Sequence, residues 1–251
     1  MVWSRYKVSC GRIVGRAHVN TQTPCQDFVA GRNSSLMACI ALADGAGSRP
    51  RSEIGAKAVV RASLRMLLTQ FDQIYDMCER SSNLARRHIH ERLMSVLVGE
   101  AARHECEVDA LASTLLFVAH KGGRFVAAHV GDGVIVQVDE HGIAQTLSHP
   151  QNGEYANTTV FVTDPKSMEK LRLFHGDSAS SLSGFALMSD GCAESLYDKK
   201  TGQPAAAIAK LLLWNSELSK KKMESILASN MEQAFSKKSA DDCSLALMSI
   251  K

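Results

Sequence analysis

The order of apolar runs along the chain predicts a layered α+β fold, with helices packed outside antiparallel sheets. Short apolar runs of strand length cluster between residues 112 and 190, punctuated by Gly122-Gly123 and Gly131-Asp132-Gly133, which is the turn chemistry of an antiparallel meander. Longer stretches with apolar residues at helical spacing lie before and after that cluster. No internal repeat or low-complexity linker interrupts the 251 residues. That length suits one large domain, residues 1–251, with a substantial core.

Taken in order, residues 6–14 read as a strand and are followed by a polar connection around residues 20–24. Residues 36–43 are uniformly small or apolar and read as a buried strand, stopped by Asp44-Gly45. Residues 52–70 and much of 74–104 read as helices, because Ile54, Ala58 and Ala62 recur at the spacing of one helical face. Strands are then predicted at residues 114–119, 125–130, 134–138, 159–163 and 185–188. Helical segments at residues 205–214 and 221–235 lead to a last strand at 244–250.

Composition narrows the function. The 29 basic and 26 acidic residues give a net charge of +3 with no long basic tract, so nucleic-acid binding has no support. No run of about 18 apolar residues exists and Met1-Val2-Trp3-Ser4-Arg5 lacks the apolar core of a signal peptide. A soluble, cytoplasmic protein without membrane contact is expected. Seven Cys, an odd number without a Cys-x-x-Cys pair, point to reduced thiols rather than disulfides or structural zinc.

Carboxylates at the ends of apolar runs carry the chemistry. Asp44 and Asp190 each follow a predicted buried strand and precede Gly, while Asp241-Asp242 leads into the last strand. Asp132 occupies a Gly-Asp-Gly turn, Asp27 follows Cys25-Gln26, and Glu194 stands four residues beyond Asp190. Carboxylates fixed at strand ends, with Gly allowing close backbone approach, build an oxygen-rich site for hard divalent cations. Such a set points to metal-dependent hydrolysis.

In chain order, Cys25-Gln26-Asp27, Asp44-Gly45-x-Gly47, Ala112-Ser113-Thr114, Val130-Gly131-Asp132, Ser189-Asp190-Gly191-x-x-Glu194 and Asp241-Asp242-x-Ser244 resemble the motif series of the type-2C metal-dependent protein serine/threonine phosphatases. The resemblance covers residues 10–250, and the segment 149–157 is similar to a bacterial branch of that family. It implies a sandwich of two antiparallel sheets flanked by helices, in α-β-β-α layers, with a metal centre at one end. By the same resemblance, Asp44 bridges two Mn²⁺ or Mg²⁺ ions and the Gly45 carbonyl binds one of them. Asp190 and Asp241 complete the first ion's protein ligands, Asp27 holds metal-bound water, and Asp132 with Glu194 approaches a third ion. The implied reaction is hydrolysis of phosphoserine or phosphothreonine by direct attack of a metal-bridging hydroxide. The implied partner is a phosphorylated protein, either a Ser/Thr kinase or its target.

Several positions depart from the family pattern. Gln26 stands where many members have a metal-binding Glu, so one negative charge is lost and weaker affinity at the second ion is expected. Gln22 and Ala46 stand where many eukaryotic members have a phosphate-gripping Arg and a proposed general-acid His. Among Arg12, Arg16, Arg49 and Arg51, Arg16 is the substitute this reading assigns to the phosphate, and His18 the donor to the leaving alkoxide. Residues 81–98, rich in Arg, and 149–165 are candidate recognition surfaces. The alternative is a catalytically weak or inactive relative that acts as a phosphoprotein-binding scaffold or sensor. Retention of Asp44, Asp132, Asp190, Glu194 and Asp241 speaks against it, because binding alone does not need charges whose repulsion cations must offset. Cys10-x5-Arg16 fits a short cysteine-phosphatase pattern but lies within a strand, not ahead of a helix N-terminus. His88 and His90, two apart on a predicted helix, cannot share a face and make a poor metal pair.

Overall fold

Alternation along a uniformly apolar strand sets the layers of this molecule. The computed structural model describes residues 5–151, 159–177 and 182–251. The chain forms β1 (Tyr6–Ile13), α1 (Arg16–Thr21), β2 (Phe28–Asn33), β3 (Met37–Ala43), α2 (Ser52–Arg80) and α3 (Ser82–Arg103). Next come β4 (Leu115–Lys121), β5 (Arg124–Val130), β6 (Val134–Asp139), β7 (Ala144–Ser148), α4 (Ser167–Lys170), β8 (Arg172–Asp177) and β9 (Leu182–Met188). The chain closes with α5 (Asp190–Leu196), the small hairpin β10 (Tyr197–Asp198) and β11 (Gln203–Pro204), α6 (Ala207–Glu217), α7 (Lys220–Asn230) and β12 (Cys243–Ile250).

Two five-stranded antiparallel sheets result, ordered β1-β12-β9-β6-β7 and β2-β3-β4-β5-β8. In β3, Ala38, Ile40 and Leu42 enter the core between the sheets, where they meet Leu116, Phe185 and Met248. Its odd positions, Met37, Cys39, Ala41 and Ala43, face the other way, into a core shared with α2 and α3. Likewise, β12 sends Ala246 and Met248 inward and Leu245 and Leu247 toward α5, α6 and α7. A strand covered on both faces loses the polar half of the usual two-residue alternation, which explains its continuous apolar sequence. Each fully buried Ile, Leu or Phe contributes about 1.5–3 kcal/mol. The α-β-β-α sandwich inferred from the motif series is therefore the fold.

The sequence reading went astray at edges and breaks. The unforeseen strands β2, β7 and β8 all lie at or beside a sheet edge, where one side is wet and polar residues dilute the pattern. The short α1 buries no residue, so no apolar periodicity announced it. Residues 159–163 do not form a strand. Val160 and Val162 are buried, but the Val162 N–H donates to the Ser113 carbonyl (2.8 Å) and the Asp164 carboxylate captures the Phe161 N–H (2.8 Å), so the backbone closes a turn. The helix expected to end at Gln70 does break there, since Gln70 leaves helical geometry (φ −132°, ψ 18°), and a second helical stretch with buried Phe71 and Ile74 continues α2 to Arg80. The helix expected over much of 74–104 is interrupted at extended Ser81. Residues 152–158 of the segment read as a bacterial signature and recognition surface lie outside the described residues.

All seven Cys are free, and burial pushes the Cys10 thiol, inside β1, up to about 12, which leaves no thiolate for nucleophilic attack. His88 and His90 diverge, toward Gln70 Oε1 and Ser167 Oγ, each at 2.9 Å. Among the described residues, no helix is long and apolar enough to cross a membrane.

One buried histidine links stability to pH. His120 in β4 is 1% exposed, with its Nδ1 2.9 Å from the Tyr6 hydroxyl, and burial followed by the Arg5 charge lowers its pKa to about 4. Between that value and the unfolded-state value of about 6.5, the unfolded chain binds more protons than the folded one, so stability falls as pH drops through this window. From pH 7 to pH 5 the buried carboxylates with raised pKa act in the opposite direction, so the expected signature is a difference. The urea midpoint of His120→Gln should fall less, or rise more, than that of the wild type. The same shift in both proteins would remove His120 as a source of it.

Candidate metal centre

Register brings the acidic turns level. Phe28 pairs with Ala43, Leu42 with Leu116 and Leu115 with Val130 in one sheet; Ile13 pairs with Cys243, and Met188 with both Leu245 and Val134, in the other. The start of β2, the end of β3, the start of β4 and the end of β5 therefore share one edge of the sandwich with the end of β9 and the start of β12. Asp27, Asp44, Asp132, Asp190 and Asp241 each sit one to three residues beyond those ends. A cavity of about 470 Å³ opens there, lined by Gln26, Asp44, Gly45, Asp132, Asp190, Glu194 and Asp241, with His18 from α1 on its wall.

Local hydrogen bonds fix each carboxylate-bearing turn. The Asp44 N–H donates to Thr114 Oγ1 (2.9 Å) while the Thr114 N–H donates to the Asp44 carbonyl (2.8 Å). Gly45 forms a bridge with Ser113, which gives Ala112-Ser113-Thr114 its role as the clamp on the turn after β3. Asp190 opens α5, and its Oδ1 accepts the Gly191 N–H at 2.6 Å. Asp241 Oδ1 accepts the Asp242 N–H (2.8 Å), and Asp132 Oδ2 accepts from Thr159 Oγ1 (2.6 Å).

Asp242 holds these parts together. Its carboxylate is 1% exposed; Oδ1 accepts the Gly15 N–H (2.6 Å) and Oδ2 the Gln26 N–H (2.7 Å), with His18 Nδ1 3.0 Å from Oδ1. One side chain thus ties the segment entering β12 to both ends of the loop between β1 and β2. Gly15 and Gly191 press against residues 240–242 so closely that a Cβ on either would overlap the backbone there. Sequence reading passed over Asp242 in favour of its neighbour. The Asp-Asp doublet was the signal, because two adjacent carboxylates at a strand entry point to opposite sides and take different work.

Electrostatics show the cost of this convergence. Burial, then the charges of Asp27, Asp190, Asp132 and Asp241, raise the Asp44 pKa well above the usual carboxylate range. Burial pushes Asp27 up to about 7, with the Asp242 charge adding to it and the Ser244 and Ser189 hydroxyls opposing it. Asp190 also rises to about 7, from burial and then the Asp132 and Asp241 charges. The donor set fits a hard divalent cation: carboxylates line the cavity beside the Gly45 backbone, and buried Gln26 Oε1 and both Asp27 oxygens lack an aligned hydrogen-bond partner. Asp27 does not line the cavity but is buried next to Asp44. Among the described residues no ready-made cluster of three or more His, Cys, Asp or Glu side chains forms, since Asp190, Asp241 and Asp132 are turned to the local donors named above.

The cationic side chains differ in placement. Arg12 Nη1 donates to the Asp27 carbonyl (2.6 Å) and its guanidinium lies over the Phe28 ring; Arg49 pairs with Asp109 at 2.9 Å. Arg16 is exposed at the first position of α1, one residue before the cavity-lining Ala17.

The family model for protein phosphatase 2C matches residues 14–232. The chain belongs to the protein phosphatase 2C family. Serine/threonine-protein phosphatase 3 of Escherichia coli (strain K12) is 29% identical over 170 residues, and the match spans 64% of this chain and 64% of that relative's length. The crystal structure of the serine/threonine phosphatase Stp1 from Staphylococcus aureus superposes with a TM-score of 0.64 at 17% identity, over 97% of this chain and 94% of that one. The catalytic domain of the serine threonine protein phosphatase PstP, solved in complex with two manganese ions, gives 0.61 at 14% identity over 98% of each chain. These structures share the fold of this type-2C phosphatase family member.

If the carboxylates of this phosphatase-2C domain form its ion site, charge and stability are coupled there. Thermal unfolding at pH 8 is expected to show a higher melting temperature with Mn²⁺ for the wild type. Asp44→Asn should raise the metal-free melting temperature by roughly 2–4 °C, as relief of about 1 kcal/mol of repulsion would, and lose the response to Mn²⁺. In the same titration Gln26→Glu should lower the Mn²⁺ midpoint. A lower metal-free melting temperature for Asp44→Asn with an intact Mn²⁺ response would place the ion elsewhere.

Proposed function

We propose that this protein hydrolyses phosphoserine and phosphothreonine in phosphorylated proteins, a Ser/Thr kinase or its target, with two divalent cations, Mn²⁺ or Mg²⁺. The observation that carries this reading is the convergence of Asp44, Asp190 and Asp241 from three separate strand ends on one cavity of a type-2C phosphatase fold. Asp44, placed between the other carboxylates, would be shared by the two ions, with Asp190, Asp241 and the Gly45 carbonyl completing the set. Asp132 and Glu194, on the same wall, would hold a third. When bound, the cations supply ionised water at neutral pH and offset the charge of the phosphoryl oxygens.

The chain's own groups do the rest. Gln26 presents a neutral amide oxygen where the cluster already carries an excess of negative charge. Asp27, buried beside Asp44, offers two oxygens to ordered water. Arg16 serves the substrate phosphate from the rim. His18 donates the proton that a serine or threonine alkoxide needs on departure, since that alkoxide is a poor leaving group. His18 Nδ1 lies 3.0 Å from Asp242 Oδ1 without an aligned hydrogen bond; a small rotation of the ring into alignment would make Asp242 its positioning residue and leave Nε2 for the substrate.

Phosphate release from a phosphothreonine peptide by purified protein, with Mn²⁺, Mg²⁺ or EDTA, tests the reading. Metal-dependent release is expected, with Asp190→Asn lowering it by at least about 10³-fold. Metal-independent release, or an Asp190→Asn variant near wild-type rate, would overturn it. The His18 role has its own readout. His18→Gln should lower kcat on the phosphothreonine peptide about 10²-fold while sparing p-nitrophenyl phosphate, whose leaving group needs no proton. Equal losses on both substrates would exclude proton donation by His18.

A further inference from the structure

The metal cavity is acidic, yet the substrate proposed for it is an anionic segment of protein. Cations and Arg16 would answer the phosphate itself; the residues that flank it need a surface of their own, and the helices beside the cavity provide one. Between α2 and α3 runs a groove of about 620 Å³ whose lining includes Lys57, Arg61, Arg65 and Arg103 against only two carboxylates, Glu53 and Glu100. Glu100 is already taken, by Arg103 at 2.7 Å and His104 at 3.6 Å. Lys57, Arg61 and Arg65 are exposed and have no carboxylate partner among the described residues. Ala58, Ala62 and Val96 add apolar surface to the same lining.

Position connects this groove to the chemistry. A smaller depression of about 290 Å³ lies between the two, sharing Gln26 and Gly47 with the metal cavity and Glu53 with the groove. Lys57, Arg61 and Arg65 recur every four residues, a step of about 6 Å along one helical face. Alternate side chains of an extended chain lie roughly 7 Å apart on one side, so an extended acidic segment matches that ladder.

We propose that the α2–α3 groove binds an acidic stretch of the phosphoprotein substrate while its phosphorylated residue occupies the metal cavity; this rests on the phosphatase reading given above. Ser52, at the start of α2, abuts Gly45 of the cavity wall. Lys57 and Arg65 lie about 7.5 and 20 Å farther along the helix axis, which sets the acidic residues roughly two to six positions from the phosphorylated one. Glu53, at the junction, disfavours a carboxylate directly beside it. The ladder thereby selects by charge at a distance from the reacting phosphate.

Three phosphothreonine peptides test this: one with neutral flanks and two with Asp/Glu at alternate positions, placed either N-terminal or C-terminal to the phosphorylated residue. At 50 mM salt, one acidic peptide is expected to show a KM about tenfold below that of the neutral peptide, with kcat unchanged. Lys57→Ala/Arg65→Ala should erase most of that gap, Lys57→Glu/Arg65→Glu should reverse it, and both should leave p-nitrophenyl phosphate hydrolysis intact. Both positions are exposed, and unchanged melting temperatures establish that the variants are folded. Equal KM for acidic and neutral peptides, or a gap that the variants do not alter, overturns the groove assignment. Anisotropy with phosphonate versions of the same peptides reads binding without turnover. If no peptide is hydrolysed but acidic binding still depends on Lys57 and Arg65, the phosphatase reading fails and the groove assignment stands.

Discussion

Repulsion among carboxylates at one end of a dry sandwich is the constraint around which this molecule is arranged. Two such groups roughly 4 Å apart repel by about 4 kcal/mol in the effective dielectric of a protein surface. The charges of Asp27, Asp190, Asp132 and Asp241 all act on Asp44, in decreasing order. Left to themselves, turns carrying these charges would splay. They are held instead by contacts that do not involve the repelling oxygens alone: the reciprocal Asp44–Thr114 bonds, the paired Ser189 and Ser244 backbone and hydroxyl bonds, and the Asp242 carboxylate buried behind the cavity. Rigidity comes from the sheets, which bury their strands on both faces right up to the residue before each acidic turn.

That arrangement explains what could be read from the sequence. Residues 36–43 and 244–250 are legible because a doubly covered strand is apolar throughout and must stop where the first charged residue appears. The candidate carboxylates Asp44, Asp190 and Asp241 are legible for the same reason that β3, β9 and β12 are legible as strands. β2, β7 and β8 were not, since an edge or near-edge position lets Arg32, Asn33, Gln145 and Arg172 stand where a core strand would have apolar residues. Residues 159–163 failed in the opposite sense: alternating Val160 and Val162 gave a strand-like pattern, but a turn governed by Asp164 took up the backbone. Asp242 was missed because sequence spacing cannot say which of two adjacent carboxylates faces the cavity and which faces two backbone N–H groups.

Substitutions that look like losses in the sequence acquire a physical setting in the structure. Ala46 is 4% exposed on the cavity wall, and its N–H is committed to the Ala112 carbonyl at 3.0 Å. The imidazole on this cavity comes from His18 of α1, with the buried Asp242 carboxylate 3.0 Å from its Nδ1. Gln26 removes one charge from a cluster that burial already disfavours, while its backbone N–H keeps the Asp242 contact.

The place of β12 has a consequence for how the protein comes into being. This strand lies between β1 and β9, and the segment that leads into it supplies Asp241 and Asp242. Until it emerges and inserts, the first strand lacks its neighbour, the loop from Gly15 to Gln26 has no anchor, and the acidic turns face one another across an open seam. Closure spans more than two hundred residues of chain and belongs to the slow, long-range pairings that complete folding. A nascent chain on the ribosome therefore carries most of the aspartates without a working arrangement of them. The convergence of the acidic turns on one cavity is thus a property of the closed sandwich and of no earlier stage.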